Sequence, residues 1–242
     1  MSAFPEDGEI SPRVSMTELP EVEGATEAEK ERFLIGQKGN MKAATKALNK
    51  YLEWREELPL PLPAHLPRYG PNQRPGADKL PGWMAMLTDP ETGELIRSKK
   101  SDTKIVQVFG AMCDLDFEAE DYIPATADFL NANLARDSTE KITVLVDVRP
   151  GKDWKDPAPM KFIPLIKCIN AQMSINFPER CRDIVIYPMP WWAVAIFNMV
   201  KLFMDPKTAS KMCMLAGPAA VDSPDPAGIE EYVIVRGLID HV

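Results

Sequence analysis

The sequence predicts an α/β fold behind a small helical lobe, and three observations carry that prediction. From Trp83 onward, short β-branched runs alternate with stretches of helical periodicity, the pattern of a sheet with parallel pairs. The run Ile142–Val148 reads Ile-Thr-Val-Leu-Val-Asp-Val, which suits a central strand buried on both faces. Ahead of a proline-rich stretch, Ala44, Ala47, Leu48, Tyr51, Leu52 and Trp54 recur at three- and four-residue intervals and so mark one face of a helix.

Residues 1–25 are polar, acidic and proline-bearing, and read as a disordered arm. Residues 26–58 form the helical lobe. Thr26 and Glu29 have capping-box spacing before Phe33 and Leu34, and Gly36 and Gly39 end that first helix. The second helix runs from about Met41. Residues 59–82 hold Pro59, Pro61, Pro63, Pro67, Pro71, Pro75 and Pro81. They read as a connector in preference to a ligand for a proline-binding domain.

The main domain spans residues 83–242. Trp83–Leu87 is the first strand, Asp89–Gly93 a turn, and Leu95-Ile96 the start of a return strand. Ile105–Phe109 is a strand. Ile123, Ala127, Leu130 and Leu134 share a helical face, as do Phe162, Leu165, Ile166, Ile169 and Met173. Asp183–Tyr187 and Met212–Leu215 are the later strands.

The segment Trp191–Met204 is apolar except for Asn198 and Lys201. As a helix its fourteen residues rise about 21 Å, short of the ~30 Å hydrocarbon core of a bilayer. A helix apolar nearly all round buries both faces or touches lipid. Core burial is the default expectation, and a movable flap over an apolar cavity is the alternative.

The 242 residues are 45% apolar and 26% charged, an ordinary globular composition, with a formal charge of −8. That acidity argues against nucleic acid as a partner, which requires clustered positive charge. Residues 1–30 carry eight acids against Arg13 and Lys30, so the remainder of the chain is close to neutral. His65 and His241 are the sole histidines, too few for histidine-rich metal sites and a poor basis for a histidine triad. Cys113, Cys168, Cys181 and Cys213 form no C-x-x-C pair and read as reduced thiols. Asp147, Asp153 and Asp156 read as turn and cap residues around Pro150-Gly151 in preference to metal ligands. No dinucleotide fingerprint, phosphate-binding loop, zinc-protease or nucleophile-elbow motif occurs. No secretory or transit-peptide pattern follows Met1.

Several segments resemble the CRAL-TRIO (Sec-fourteen-like) lipid-binding family. One is Arg32–Asn40 with Ala43-Ala44 and Tyr51–Arg55. The more specific are Asn176-Phe177-Pro178-Glu179-Arg180 and Phe203-Met204-Asp205-Pro206-Lys207-Thr208-Ala209-Ser210-Lys211, placed around the strand Asp183–Tyr187 and the apolar helix. The resemblance covers about residues 26–215. It implies an α/β domain whose mixed sheet floors an apolar lipid pocket closed by a gate helix. Ile142, Val144 and Val146 fall on the floor, and Trp192, Ile196, Phe197, Val200 and Phe203 on the gate.

The phosphatidylinositol-transfer branch of this family implies headgroup residues at Lys38, Glu179, Arg180, Thr208 and Lys211. A phosphodiester wants a hydroxyl and cations, which Thr208, Lys211 and Lys38 supply. Glu179 either receives inositol hydroxyls or orders the site. The structural alternative is an ion pair between Glu179 and Lys211 with Thr208 as a helix cap. The motif favours the functional reading for Thr208 and Lys211, and for Arg180 the two readings are even. Ile142 and Val144 stand where choline-lipid exchangers carry hydroxyls, which argues against phosphatidylcholine. After Leu215 the chain lacks the family's closing strand motif, so the C-terminal edge is rebuilt or missing on this reading.

The resemblance therefore implies a non-enzymatic carrier without metal or other cofactor, its ligand a phospholipid, first of all phosphatidylinositol. It implies a cytoplasmic protein with a transient membrane surface as partner, the acidic arm being a candidate site for a protein partner. A carrier of a tocopherol, retinoid or sterol-like molecule is the second reading, and a lipid-regulated interaction module the third. Fold alone does not choose among them.

Overall fold

The computed structural model describes residues 19–67, 83–109, 117–150, 162–201, 206–235 and 238. The helical lobe is two helices, α1 (Glu27–Gly36) and α2 (Met41–Glu57). The capping box expected at Thr26 and Glu29 is present: each side chain bonds the other's backbone N–H. Asn40 caps α2 by accepting from Ala43 N at 3.0 Å. Between the helices the chain turns through Lys38 (φ 55) and Gly39 (φ 82), and Gly39 N donates to Leu34 O at 2.9 Å. Val22, Phe33, Leu48 and Tyr51 form the lobe's core, with Tyr51 and Phe33 rings 5.1 Å apart.

The α/β domain holds β1 (Met84–Met86), β2 (Lys104–Phe109), α3 (Tyr122–Asn133), β3 (Ile142–Asp147), α4 (Phe162–Asn176), β4 (Cys181–Met189), α5 (Trp191–Lys201), α6 (Pro206–Lys211) and β5 (Met212–Ala216). The strands form one mixed sheet in the order β1-β2-β3-β4-β5. The first pair is antiparallel and the other three are parallel. Because strand order follows chain order, right-handed crossovers place the connecting helices on one face. Tyr122, Ala125, Phe129 and Leu130 of α3 and Leu165 of α4 indeed pack with Val106 and Ile142 on that face.

Two expectations are corrected here. The return arm at Leu95-Ile96 makes isolated bridges, Thr88 with Leu95 and Arg97 with Lys104, instead of a strand. Its side chains differ in need: Ile96 is buried while Leu95 stays exposed, so a short pairing suffices. The default of core burial also fails for the start of α5. Trp191 is 79% and Trp192 49% exposed, and Ala195 is exposed as well. Helix α5 packs along β5 at the sheet edge, which leaves its first turn without cover.

After β5, residues 217–235 cross to the opposite face of the sheet, where Ile229, Tyr232 and Val233 pack with Ile105, Leu145, Val185 and Tyr187. Lys99 N donates to Tyr232 O at 2.9 Å. Arg149 ties this return down: it pairs with Asp147 at 2.6 Å and Asp225 at 3.1 Å, and donates to Ser223 O at 2.9 Å. Asp147 is thus spent on Arg149, in keeping with its reading as a turn residue. No cluster of three metal-ligating side chains occurs among the described residues. Cys168, Cys181 and Cys213 are free thiols, and Cys113 lies outside the described residues. Among the described residues no helix is long and apolar enough to cross a membrane.

Candidate functional site

Side chains alternate along a strand, so each strand offers every second residue to the helix-covered face. The parallel register lines these residues up in rows. One row is Val106, Val144, Ile184 and Met212, and the next is Val108, Val146, Ile186 and Met214. All eight are apolar. Val106 and Met212 are buried, as is Ile142 under α3 and α4. Val144, Ile184 and the whole second row are half-buried. Val108 and Val144 still pack against the core under α3, so these six residues form a partly covered apolar strip, the trough, towards the C-terminal ends of the strands. Helix α5 starts at that end, directly after β4.

Of the floor residues expected from sequence, Val144 and Val146 thus lie in the trough and Ile142 in the closed core. Val108, Ile184, Ile186 and Met214 were missed. Their signal was present as alternate positions of the neighbouring strands, but it needs the register to be read. On α5, Phe197 is half-buried. The side chains of Ile196, Val200 and Thr208, and Phe203 as a whole, lie outside the described residues.

The opposite, N-terminal edge of the sheet is charged. Lys141 precedes β3, Glu179 stands two residues before β4, and Lys211 precedes β5. Parallel neighbours bring these strand starts to one edge. Glu179 is bonded by Lys207 of α6 and lies 3.7 Å from Lys141 Nζ. Its side chain is only 9% exposed. Burial alone would push its pKa up. The hydrogen bond from Lys207 and the charges of Lys211, Lys207 and Lys141 outweigh burial and hold the carboxyl below its ordinary value. The pair expected between Glu179 and Lys211 is therefore a longer-range attraction, and Lys207 is the direct partner. Lys207 and Lys141 were missed, although Lys207 sits inside the motif that singled out Thr208 and Lys211.

Glu179 and Lys38 share a second property. Among the described residues three non-glycines have positive φ, and these two are among them, Glu179 at 60° and Lys38 at 55°. Such backbone is costly for residues with a Cβ and is kept where the surroundings impose it. The two turns also touch. A methyl group added to Gly36 would come within 3.0 Å of Pro178 Cβ, so the α1–α2 turn packs closely on the Pro178-Glu179 corner. Lys38 is exposed beside that contact.

Arg180 is not brought into this cluster. It is 2% exposed, and its guanidinium donates to Glu140 O at 2.9 Å and to Ala135 O. It clamps the α3–β3 connection onto the start of β4.

The CRAL/TRIO domain description matches residues 95–220. The chain is 30% identical over 223 residues to the phosphatidylinositol transfer protein PDR17 of Saccharomyces cerevisiae, a match that covers 86% of this chain and 57% of that protein. It thus spans a little over half the length of that curated relative. The crystal structure of Sfh5 is similar in fold, with a TM-score of 0.54 at 12% identity, over 78% of this chain and 63% of that one. That domain match covers over half of the chain and the fold agrees with it: the chain belongs to the CRAL-TRIO family.

Proposed function

We propose that the protein carries one phospholipid, phosphatidylinositol by preference, and passes it between membranes. The observation that supports this most is the row of half-buried apolar side chains Val108, Val146, Ile186 and Met214 on one sheet face. Acyl chains laid along that trough would gain about 0.8 kcal/mol per methylene removed from water. Helix α5 closes over the chains when the protein is in solution. Its exposed Trp191 and Trp192 suit the membrane–water interface, where amphipathic indoles collect.

The headgroup lies at the lysine edge in this reading. Lys141, Lys207 and Lys211 surround one carboxylate, which leaves positive charge for a phosphodiester. Thr208, between the two lysines of α6, supplies the hydroxyl, and Lys38 approaches from the α1–α2 turn. Glu179 keeps the lysines in place and offers an acceptor to the inositol ring. Arg180 is left out of this set, because its donors are spent on backbone carbonyls. The printed name of PDR17 supports the choice of phosphatidylinositol.

Mass spectrometry of lipid that co-purifies with the full chain tests the reading. Phosphatidylinositol in near-stoichiometric amount is the expected result. A sterol or isoprenoid without phospholipid would sink the headgroup assignment, and a protein free of lipid would sink the carrier itself. A second measurement isolates the headgroup edge. Lys207→Ala/Lys211→Ala lowers phosphatidylinositol transfer between vesicles at least about tenfold, the loss of one charge-assisted contact of roughly 1.5–3 kcal/mol, with an unchanged far-UV circular dichroism spectrum. Wild-type transfer by this variant would place the headgroup elsewhere.

A further inference from the structure

Three arginines from distant parts of the chain line one small cavity between the helical lobe and the α/β domain. Arg32 comes from α1, Arg136 from the α3–β3 connection and Arg180 from the start of β4, with Tyr51, Leu134 and Phe177 among the other walls. The cavity leaves about 10 Å3 in which the centre of a water-sized sphere can move, room for one monatomic ion. Arg32 and Arg180 are each 2% exposed.

Glu29 is the carboxylate bonded into this cluster, and its acceptor positions are full. Its Oε1 accepts from Arg136 Nε at 2.8 Å and from Tyr51 OH at 2.9 Å. Its Oε2 accepts from Arg136 Nη2 at 2.8 Å and from Thr26 N at 2.9 Å. A carboxylate offers about four acceptor directions, so none remains for Arg32. The Nε and Nη1 of Arg32 are buried without a hydrogen-bond partner. Arg180 donates to carbonyls, which carry no formal charge, and the attraction of Glu29 and Glu140 offsets only part of the cost of burying its own. The cost is visible at Arg180, where burial and then the charge of Arg32 pull the guanidinium pKa down to about 10.

Arg32 keeps two open donors, and Glu29 is one carboxylate shared among three guanidiniums, so the cavity calls for both a hydrogen-bond acceptor and a further negative charge. A water supplies the first alone. We propose that the cavity binds one small inorganic anion, a halide such as chloride, on Arg32 Nε and Nη1, and that its occupancy locks the helical lobe to the α/β domain. The size of the cavity excludes phosphate and organic carboxylates. The site is independent of the lipid reading, since no trough residue lines it.

The test compares thermal unfolding of the full chain in sodium chloride and in sodium gluconate at equal ionic strength. Gluconate is too large to enter. Chloride is expected to raise the midpoint by about 2–4 °C over gluconate, and Arg32→Met to abolish that difference. Wild-type crystals soaked in bromide provide a measurement that does not depend on the variant folding: an anomalous peak within hydrogen-bonding distance of Arg32 is expected. Equal wild-type midpoints in the two salts overturn the proposal. So does a bromide map with no peak beside Arg32, the result a water-filled cavity would give.

Discussion

Val146→Trp and Ile186→Trp, made together, are expected to yield a folded protein that no longer retains lipid. Both residues lie in the half-buried row, at directly paired positions of β3 and β4. Two indoles would occupy the space an acyl chain needs. Both positions are half-buried, so two indoles meet less crowding there than in a close-packed core, where overpacking costs about 1–3 kcal/mol. Lipid recovered per mole of protein should fall at least about tenfold, since losing contact with even two methylenes costs roughly 1.6 kcal/mol. Extraction and mass spectrometry of the purified variant measure this, with circular dichroism as the control for folding. Lipid content equal to wild type would show that the trough is ordinary core and would move the ligand off the sheet.

Glu29→Ala is expected to be the most destabilising single change in the helical lobe, at about 3–5 kcal/mol. Glu29 is fully buried, and four donors converge on its carboxylate from α1's own cap, α2 and the α3–β3 connection. Its removal strands Tyr51 and Arg136 and leaves Arg32 without its nearest negative charge. Equilibrium denaturation reads the loss directly, and a change below about 1 kcal/mol would mean that Arg136 simply turns to solvent.

The same carboxylate makes a pH prediction. Burial pushes the Glu29 pKa up, but the bonds from Arg136, Thr26 and Tyr51 win and hold it below the ordinary 4.5. A depressed folded value means that its contribution is complete above pH 4.5 and is lost as pH falls through the folded value. The stability gap between wild type and Glu29→Gln should therefore be constant from neutrality down to about pH 5 and close at lower pH. A gap that instead widened in acid would reverse the assigned sign.

Much of this molecule was legible from local sequence because its signals are local. The capping box at Thr26 and Glu29 and the apolar face of α2 are set within one or two helical turns. The strand Ile142–Asp147 announces itself by six consecutive residues. Arg180 shows the limit. Its neighbour Glu179 belongs to a charged, strained corner, whereas Arg180 turns inward to Ala135 and Glu140, and no adjacent residue distinguishes the two. Lys141 and Lys207 were overlooked for a related reason: each looks like an ordinary surface lysine until Glu179 is placed beside it.

Local sequence sufficed for the α/β class, the order of the main helices and strands, the family likeness and the apolar character of the segment that becomes α5. Those follow from periodicity and motif, which the chain carries over short spans. Which alternate residues of β2, β3, β4 and β5 share the half-buried row, and which lysines share one carboxylate, emerges from the folded arrangement alone. That arrangement also decided that the segment after β5 covers the far face of the sheet. The physical reason is that parallel pairing sets side by side residues tens of positions apart, and no local rule states the register that joins them.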